Sequence, residues 1–260
     1  MSQKSQRINQ MIDILQKRNG ASIRQLSKEL NVTEMTIRRD LEVLRTNNLV
    51  NIIHGAAIFN PDAEKADDDT KYNVFHEQDV MNRAKNRIGK TAAKMIKPND
   101  VIFIDIGTTA ASMAKYIPNG CPITVACFTM NTLQEVLVKN VEQLIFGGGY
   151  YHPNTQVFES PESLQTIRNV RATKAFITAA GVSLELGLTC ANKYEVETKR
   201  ACIQNALETI LLVDSSKFGQ VKPAFFADLQ QMNTIVTDSG LSEEWQETIR
   251  QMGINLIIAT

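Results

Sequence analysis

Two adjacent arginines, Arg38 and Arg39, lie in a segment whose apolar residues recur at helical spacing. At 100° per residue, Ile37, Leu41 and Leu44 form one stripe, and both arginines lie on the opposite side. Guanidinium groups pair with phosphate oxygens and can read guanine in the major groove of DNA. The segment is therefore interpreted as a DNA recognition helix.

The other candidate DNA contacts surround these arginines. The first residues of a recognition helix reach base edges, and the preceding helix can contact phosphates. Asp40 lies nearer the core boundary and is predicted to form a structural ion pair. The complete set of predicted DNA-binding residues is Arg24, Lys28, Thr33, Glu34, Met35, Thr36, Arg38 and Arg39.

A second group of residues could bind an anion. Residues 105–109 (Asp-Ile-Gly-Thr-Thr) follow an apolar strand-like run and open a helix. Backbone amides and two hydroxyls at a helix N-terminus can bind an oxyanion, and phosphate is the oxyanion expected there. The loop lacks the Gly-Lys-Ser/Thr of a Walker A motif and the glycine spacing of a dinucleotide fingerprint, which disfavours nucleotide binding.

Three further loops end strand-like runs with glycine or polar residues. Residues 147–149 are glycines that would let a ligand approach the backbone, although a simple turn explains them almost as well. Residues 178–181 end another run, and residues 214–219 place Lys217 where it could neutralise phosphate. Because ligands of parallel α/β sheets bind at the carboxyl ends of the strands, the four loops predict one convergent pocket.

The elements around the arginines predict a winged helix-turn-helix over residues 1–57. Ser22 and Gln25 have the spacing of a capping box, and Thr33 can cap the recognition helix. A branched apolar run over residues 49–53 predicts a short β-wing. A generic three-helix bundle with a solvated charged surface is the alternative interpretation.

Charge separates this module from the rest of the chain. Residues 1–57 contain nine Lys or Arg and five Asp or Glu, a net of +4, whereas the whole chain is neutral with 28 of each. Residues 58–260 therefore carry a net of −4. Because phosphate neutralisation dominates DNA affinity, the basic module is expected to bind nucleic acid and the remainder is not.

The rest of the chain divides into a linker and an α/β domain. Residues 58–74 include a stretch rich in acids and nearly free of apolar side chains, which predicts a solvated linker. Residues 75–260 alternate helical stretches with apolar runs, which indicates a largely parallel sheet covered by helices in a Rossmann-like outline. The predicted strands are residues 101–105, 123–127, 143–146, 174–179, 209–213, 234–236 and 255–258.

Cysteine and histidine spacing favours neither a metal site nor a disulfide framework. The four cysteines show no Cys-x-x-Cys pattern, and the chain has three histidines. Buried free thiols are the expected role of the cysteines. Residues 1–10 are polar, and no apolar run approaches the length needed to cross a bilayer, so we expect a cytoplasmic protein without a membrane segment.

The motifs resemble a known family. Residues 34–41 (Glu-Met-Thr-Ile-Arg-Arg-Asp-Leu) and 54–57 (His-Gly-Ala-Ala) resemble the DNA-binding module of the DeoR family of bacterial transcriptional repressors. Residues 105–109 and 214–219 resemble the C-terminal effector domain of that family. The resemblance implies an effector domain similar to ribose 5-phosphate isomerase, double-stranded operator DNA as a partner, and a phosphorylated sugar as inducer, with no cofactor.

The resemblance extends to the inducer and its binding residues. Residues 127–132, 179–182 and 221–224 look like one branch of the family, for which deoxyribose 5-phosphate is the implied inducer. Many members carry Asp where this chain has Ala180, which suggests a sugar with fewer hydroxyls. With the strand-end loops, this implies an effector site formed by Asp105, Gly107, Thr108, Thr109, Thr129, Asn131, Gly147, Gly148, Ala180, Gly181 and Lys217.

Two other function classes compete with a homo-oligomeric repressor. A sugar-phosphate isomerase carrying a DNA-binding module would need a base that moves a proton between two adjacent carbons of the sugar. The isomerase has Asp-Gly-Ala-Asp where residues 179–183 here are Ala-Ala-Gly-Val-Ser, so no catalytic residue is predicted. Glu185 and Glu195 lie close enough in sequence that geometry does not exclude either of them as the base. A sugar-binding adaptor that ignores DNA is the third class, and it would show no salt-dependent DNA affinity.

Overall fold

The computed structural model describes residues 3–18, 20–46, 49–53, 55–60 and 81–260. The elements of the N-terminal module are α1 (Gln3–Arg18), β1 (Ala21–Ser22), α2 (Ile23–Glu29), α3 (Glu34–Thr46), β2 (Val50–Ile53) and β3 (Ala56–Phe59). β3 lies between β1 and β2 and pairs antiparallel with both, which forms the predicted wing. β3 ends two residues beyond the predicted domain limit at residue 57. His54 and residues 61–74 of the predicted linker lie outside the described residues.

Local polar contacts start the second and third helices where the sequence predicts. The hydroxyl of Ser22 accepts from the backbone N–H of Gln25, and the Gln25 side chain accepts from the backbone N–H of Ser22. Thr33 caps α3 by accepting from the backbone N–H of Thr36 at 3.2 Å. Each contact satisfies a helix N–H that would otherwise lack a partner.

The three helices and the wing bury one shared core. Ile37, Leu41 and Leu44 from α3 pack there with apolar residues of α1 and α2. Asp40 is 1% exposed and accepts from Nε of Arg7 at 2.7 Å. The predicted structural ion pair of Asp40 is confirmed, and it ties α3 to α1.

The second domain alternates helices and strands over residues 81–260. Its helices are α4 (Asn82–Ala93), α5 (Thr108–Ala114), α6 (Met130–Leu137), α7 (Pro161–Asn169), α8 (Val196–Gln204) and α9 (Glu243–Gln251). Its strands are β4 (Val101–Ile104), β5 (Thr124–Cys127), β6 (Gln143–Phe146), β7 (Tyr150–His152), β8 (Val157–Glu159), β9 (Ala172–Thr178), β10 (Gly181–Ser183), β11 (Gly187–Cys190), β12 (Ala206–Leu212), β13 (Ala224–Ala227), β14 (Thr234–Asp238) and β15 (Asn255–Ala259).

Seven of these strands form one parallel sheet in the order β15-β14-β12-β9-β4-β5-β6. Each of the seven predicted apolar runs supplies one of them. Along β4, Phe103 belongs to the core on one face, whereas Ile102 and Ile104 belong to the core on the other. Burial on both faces explains why these strands read as continuous apolar runs. The predicted Rossmann-like α/β domain is confirmed.

Two small antiparallel sheets were not expected from the sequence. β11 pairs with β10 and β13, and β7 pairs with β8. These strands have only three or four residues and carry no alternation long enough to predict them. The sheet made by β10, β11 and β13 follows the carboxyl end of β9, where it borders the candidate site described below.

The described residues hold no helix long and apolar enough to cross a bilayer. All four cysteines are free thiols, and Cys127, Cys190 and Cys202 are buried as predicted, whereas Cys121 is only half-buried. Burial raises the pKa of the Cys127 thiol to about 12 because the thiolate would lose its hydration. These thiols therefore behave as small apolar side chains.

Candidate functional site

The first turns of α3 present a polar and basic surface to solvent. Glu34, Met35, Arg38 and Arg39 are all exposed, and the Met35 side chain keeps 68% of its surface accessible. Within the described residues, no carboxylate pairs with Arg38 or Arg39. Both guanidinium groups are therefore available to an external anion.

The remaining predicted DNA contacts lie close to this surface. Arg24 and Lys28 are exposed on α2, and Thr33 is exposed at the start of α3. Thr36 is half-buried, and its hydroxyl lies 2.9 Å from the hydroxyl of Thr33. The helix-turn-helix thus places the predicted residues along α2 and the start of α3. Their contacts with DNA stay a prediction.

A cleft lies where β4, β9 and β12 end. The loop after β4 supplies residues 106–109, the loop after β9 supplies residues 178–180, and the loop after β12 supplies Val213, Asp214 and Lys217. These three strands are neighbours in the sheet, so their carboxyl ends meet at one edge. The remaining lining residues are Lys85, Cys190, Ala191, Glu195 and Lys199.

A buried ion pair forms one wall of this cleft. Nζ of Lys199 donates to Oδ2 of Asp105 at 2.5 Å and to the carbonyl of Thr178 at 3.0 Å. Burial alone would lower the pKa of Lys199, but Asp105 and Glu195 together raise it above its usual value. Lys199 therefore stays protonated and fixes the loops after β4 and β9 relative to α8.

Asp105 has one carboxylate oxygen without a partner among the described residues. Oδ2 also accepts from the backbone N–H of Thr178 at 2.8 Å, whereas Oδ1 is buried and makes no hydrogen bond. A buried acceptor without a donor is costly, so Oδ1 is suited to a hydroxyl or a water. Asp105 itself lies behind the cleft surface rather than in it.

Glu195 is the buried carboxyl of the cleft. It accepts from Nδ2 of Asn192 at 2.7 Å and lies one helical turn before Lys199. Burial raises the pKa of Glu195, although Lys199 and the Asn192 hydrogen bond oppose that shift. The cleft therefore offers a carboxyl group that gives up its proton less readily than an exposed one.

Gly107 allows the loop after β4 to pass close to β9. Its φ of 145° lies in a region that favours glycine, and a Cβ at this position would lie 2.5 Å from Oγ1 of Thr178. The glycine thus shapes the loop that offers the Thr108 and Thr109 hydroxyls to the cleft.

The structure brings five of the predicted effector residues together on the cleft surface. These are Gly107, Thr108, Thr109, Ala180 and Lys217. Gly181 lies directly beside them in β10, where a Cβ would approach the carbonyl of Gln220 within 2.6 Å. Binding of an effector by these residues stays a prediction.

Six predicted effector residues do not line this cleft: Asp105 behind it, Gly181 beside it, and four that lie farther along the sheet edge. Thr129 and Asn131 contact Thr132 at the start of α6, through a 2.9 Å hydroxyl pair and a 2.8 Å side-chain cap. A Cβ on Gly147 would collide with Ser163, so that glycine serves close packing against α7. Gly148 faces open space. All four belong to the ends of β5 and β6, beside the strands that form the cleft.

Sequence reasoning missed three charged or polar cleft residues. Lys85 comes from α4, Cys190 from β11 and Lys199 from α8. Glu195 and Lys199 are four residues apart, a spacing that places both on one helix face and could have marked them as a pair. Glu185, the other carboxylate considered as a base, is exposed outside the cleft and pairs with Lys4.

Both domains match families named for one group of regulators. Residues 7–62 match the DeoR-like helix-turn-helix domain, and residues 81–239 match the DeoR C-terminal sensor domain. The deoxyribose operon repressor of Escherichia coli (strain K12) is 29% identical over 256 residues, which are 98% of this chain and 99% of that protein. The putative sgc region transcriptional regulator of the same strain is 31% identical over 261 residues, with coverage of 98% and 97%.

A solved structure is similar to part of this chain. Ribose 5-phosphate isomerase A from Methanocaldococcus jannaschii is similar with a TM-score of 0.39 and 18% identity, covering 53% of this chain and 55% of that chain. The family matches span the DNA-binding module and most of the α/β domain. The chain therefore belongs to the DeoR family of bacterial transcriptional repressors.

Proposed function

We propose that this protein represses a sugar or nucleoside catabolic operon and is released from its operator by deoxyribose 5-phosphate. The observation that carries the proposal is the combination of an exposed arginine pair on α3 with a lysine-lined cleft at the strand ends. The name of the similar Escherichia coli repressor supports the choice of a deoxyribose derivative. The identity of the inducer is the most specific part of this proposal.

The DNA-binding half of the proposal rests on α3. Arg38 and Arg39 are exposed near the helix start, where a recognition helix meets base edges and phosphates. One small winged module offers too few contacts for an operator-specific complex. We therefore propose a homo-oligomer that places paired α3 helices in successive major grooves.

The effector half rests on the chemistry of the cleft lining. Lys85 and Lys217 bring positive charge, and the hydroxyls of Thr108 and Thr109 can donate to phosphate oxygens. Glu195 can accept from a sugar hydroxyl. Ala180 adds no polar group to the lining, which suits a sugar that lacks one hydroxyl.

Release from DNA requires the sugar phosphate to favour the arrangement that cannot bind DNA. A difference of roughly 5-fold to 150-fold in affinity between the two arrangements is typical of such coupling. By reciprocity, operator DNA would then weaken the binding of the sugar phosphate by the same factor. The proposal can therefore be tested by measuring either the affinity for operator DNA or the affinity for the sugar phosphate.

Fluorescence anisotropy with a labelled duplex from the DNA upstream of the adjacent genes tests the proposal. We expect the protein to bind the duplex and deoxyribose 5-phosphate to release it, whereas unphosphorylated deoxyribose has no effect. Lys217→Ala should weaken the response to the sugar phosphate, and the exposed Lys115→Ala serves as the matched control. A duplex that stays bound with every sugar phosphate tried would refute the inducer class.

Sugar-phosphate isomerisation is a second candidate, and the position of Glu195 favours it. This carboxyl is buried in the cleft beside Lys199, and its raised pKa brings it nearer the range of a general base. Incubation of the purified protein with ribose 5-phosphate, followed by NMR, would detect ribulose 5-phosphate. Turnover that Glu195→Gln abolishes would establish an enzyme. Absence of turnover would leave repression as the remaining candidate function.

A further inference from the structure

We propose that two segments transmit a conformational change at the cleft to the DNA-binding module. The first is the β10–β11 hairpin, and the second is the loop of residues 218–223; together they are called the relay. The proposal rests on the proposed function, because it describes how the same cleft would act on DNA binding. Both segments begin at the cleft, and both end in the core of the N-terminal module.

The hairpin reaches from the cleft to the module. Ala180 precedes β10 and Cys190 ends β11, and both line the cleft. At the opposite end, Leu186 is 1% exposed and packs in the core formed by α1, α2, α3 and the wing. Beside it, both carboxylate oxygens of Glu185 accept from Nζ of Lys4 on α1 at 2.9 Å.

The loop of residues 218–223 also connects the cleft to the N-terminal module. Lys217 lines the cleft, and four residues later Val221 is 6% exposed within the core of the N-terminal module. Residues from two distant parts of the sensor domain thus enter one apolar cluster of the other domain. Because the Lys4–Glu185 pair is exposed whereas Leu186 and Val221 are buried, the two apolar side chains contribute more to the attachment than this ion pair does.

Hydrogen bonds join the two segments along their length. The backbone N–H of Gly219 donates to the carbonyl of Val182 at 2.8 Å. The backbone N–H of Lys222 donates to Oγ1 of Thr189 at 2.8 Å. The relay can therefore move as one body rather than as two independent loops.

The hairpin tip is stiff, which a relay needs. The hydroxyl of Ser183 accepts from the backbone N–H groups of Glu185 at 3.3 Å and Leu186 at 3.1 Å. Gly187 has a φ of 71°, and a Cβ there would lie 2.6 Å from the carbonyl of Ala227 in β13. A shift at the base of the hairpin would thus be passed to Leu186 instead of being absorbed in the turn.

The two segments pack closely against each other at Gly181, next to the cleft residue Ala180. A Cβ on Gly181 would lie 2.6 Å from both the carbonyl of Gln220 and Oγ1 of Thr189. A ligand that draws Ala180 or Lys217 inward must therefore displace both segments together. The expected consequence is a change in how Leu186 and Val221 hold the N-terminal module.

Hydrogen exchange of the full chain, read by mass spectrometry, tests the relay without any ligand. Leu186→Ala should speed exchange in α1 by about tenfold or more, since a buried leucine at the attachment is lost. Leu184→Ala is the matched control, because Leu184 lies in the same turn but is 52% exposed. Equal exchange of α1 in the Leu186 variant and the control would overturn the proposal.

Gly181→Ala tests transmission from the cleft end. The added methyl group should separate the two segments, and faster exchange in α1 would follow although the substitution lies in the sensor domain. Faster exchange around residues 178–190 with no change in α1 would overturn the proposal. If this variant does not fold, the comparison of Leu186→Ala with Leu184→Ala decides alone.

Addition of deoxyribose 5-phosphate separates the relay from the proposed inducer. In the wild-type chain, we expect slower exchange around residues 105–109 and altered exchange in α1. In Leu186→Ala, the change at residues 105–109 should persist and the change in α1 should vanish. Slower exchange at the cleft with an unaffected wild-type α1 would overturn the relay, whereas no change at the cleft would refute the inducer and leave the ligand-free tests to decide the relay.

Discussion

Nζ of Lys199 and Oδ2 of Asp105 lie 2.5 Å apart, and the two side chains are 1% and 0% exposed. The pair links the helix behind the cleft to the loop that follows β4. Neither charge has access to water, so each depends on the other for compensation. The relationship has a direct consequence for stability.

Replacement of Lys199 by Met should lower the free energy of unfolding by about 3 to 5 kcal/mol, because Asp105 would become an uncompensated buried charge. Urea unfolding followed by circular dichroism measures the loss. Arg18→Ala removes an exposed pair with Glu29 and should cost no more than about 1 kcal/mol. Similar losses in both variants would show that the buried Lys199 pair stabilises the protein no more than an exposed ion pair does.

The stabilising contribution of Asp100 should depend on pH. Burial alone would raise its pKa, but hydrogen bonds from the Lys174 ammonium, the Lys97 backbone and the Thr173 hydroxyl hold it below the ordinary value of 3.8. A lowered pKa in the folded state means that ionised Asp100 stabilises the protein above pH 3.8, and that this contribution disappears as the pH falls through the lowered pKa.

Asp100→Asn should therefore lower the unfolding free energy near neutral pH by about 1 to 3 kcal/mol. The difference from wild type should shrink in acid, since protonated Asp100 loses the same interactions. Thermal unfolding of both proteins over a pH series checks this. A gap that stays constant down to strong acid would contradict the assignment.

Arg38→Ala and Arg39→Ala should each weaken DNA binding. An arginine that reads guanine should cost roughly 1 to 3 kcal/mol at one base position, whereas a phosphate contact should weaken all sequences equally and reduce the salt slope by about one. A panel of operator variants at several salt concentrations distinguishes the two roles. Arg45→Ala is the control, because Arg45 lies in the last turn of α3 and pairs with Glu42. Unchanged affinity on every duplex would remove that arginine from the interface.

Gly107→Ala should destabilise the fold and distort the cleft. Its φ of 145° and the contact at 2.5 Å with Thr178 together predict a loss of roughly 1 to 3 kcal/mol. Gly148→Ala meets no atom within 4 Å and should change stability by less than about 0.5 kcal/mol. Calorimetric melting of both variants provides the comparison. An unaltered melting temperature in the Gly107 variant would contradict the packing argument.

Much of the candidate site was predictable because its parts are local. Periodicity alone placed Arg38 and Arg39 opposite the stripe of Ile37, and continuous apolar runs marked strands that are buried on both faces. Loops that follow such strands must meet at one edge of a parallel sheet. The convergence of Gly107, Ala180 and Lys217 follows from that rule.

The partners of those loops were not predictable, because they depend on long-range packing. Asp105 and Lys199 are 94 residues apart, and only the docking of α8 against β9 and β12 brings them together. The strand order decided that the ends of β4, β9 and β12 share the cleft, while Thr129 and Gly148 lie at the ends of strands outside it.

The sequence by itself determined the two modules, the basic surface of α3 and the strand-end loops, since these depend on residue spacing within short segments. Only the tertiary structure decided which loops meet, which lysine neutralises Asp105, and that Leu186 and Val221 attach one module to the other. The physical reason is that spacing within a helix or strand sets which face a residue occupies, whereas contacts between elements depend on how those faces pack.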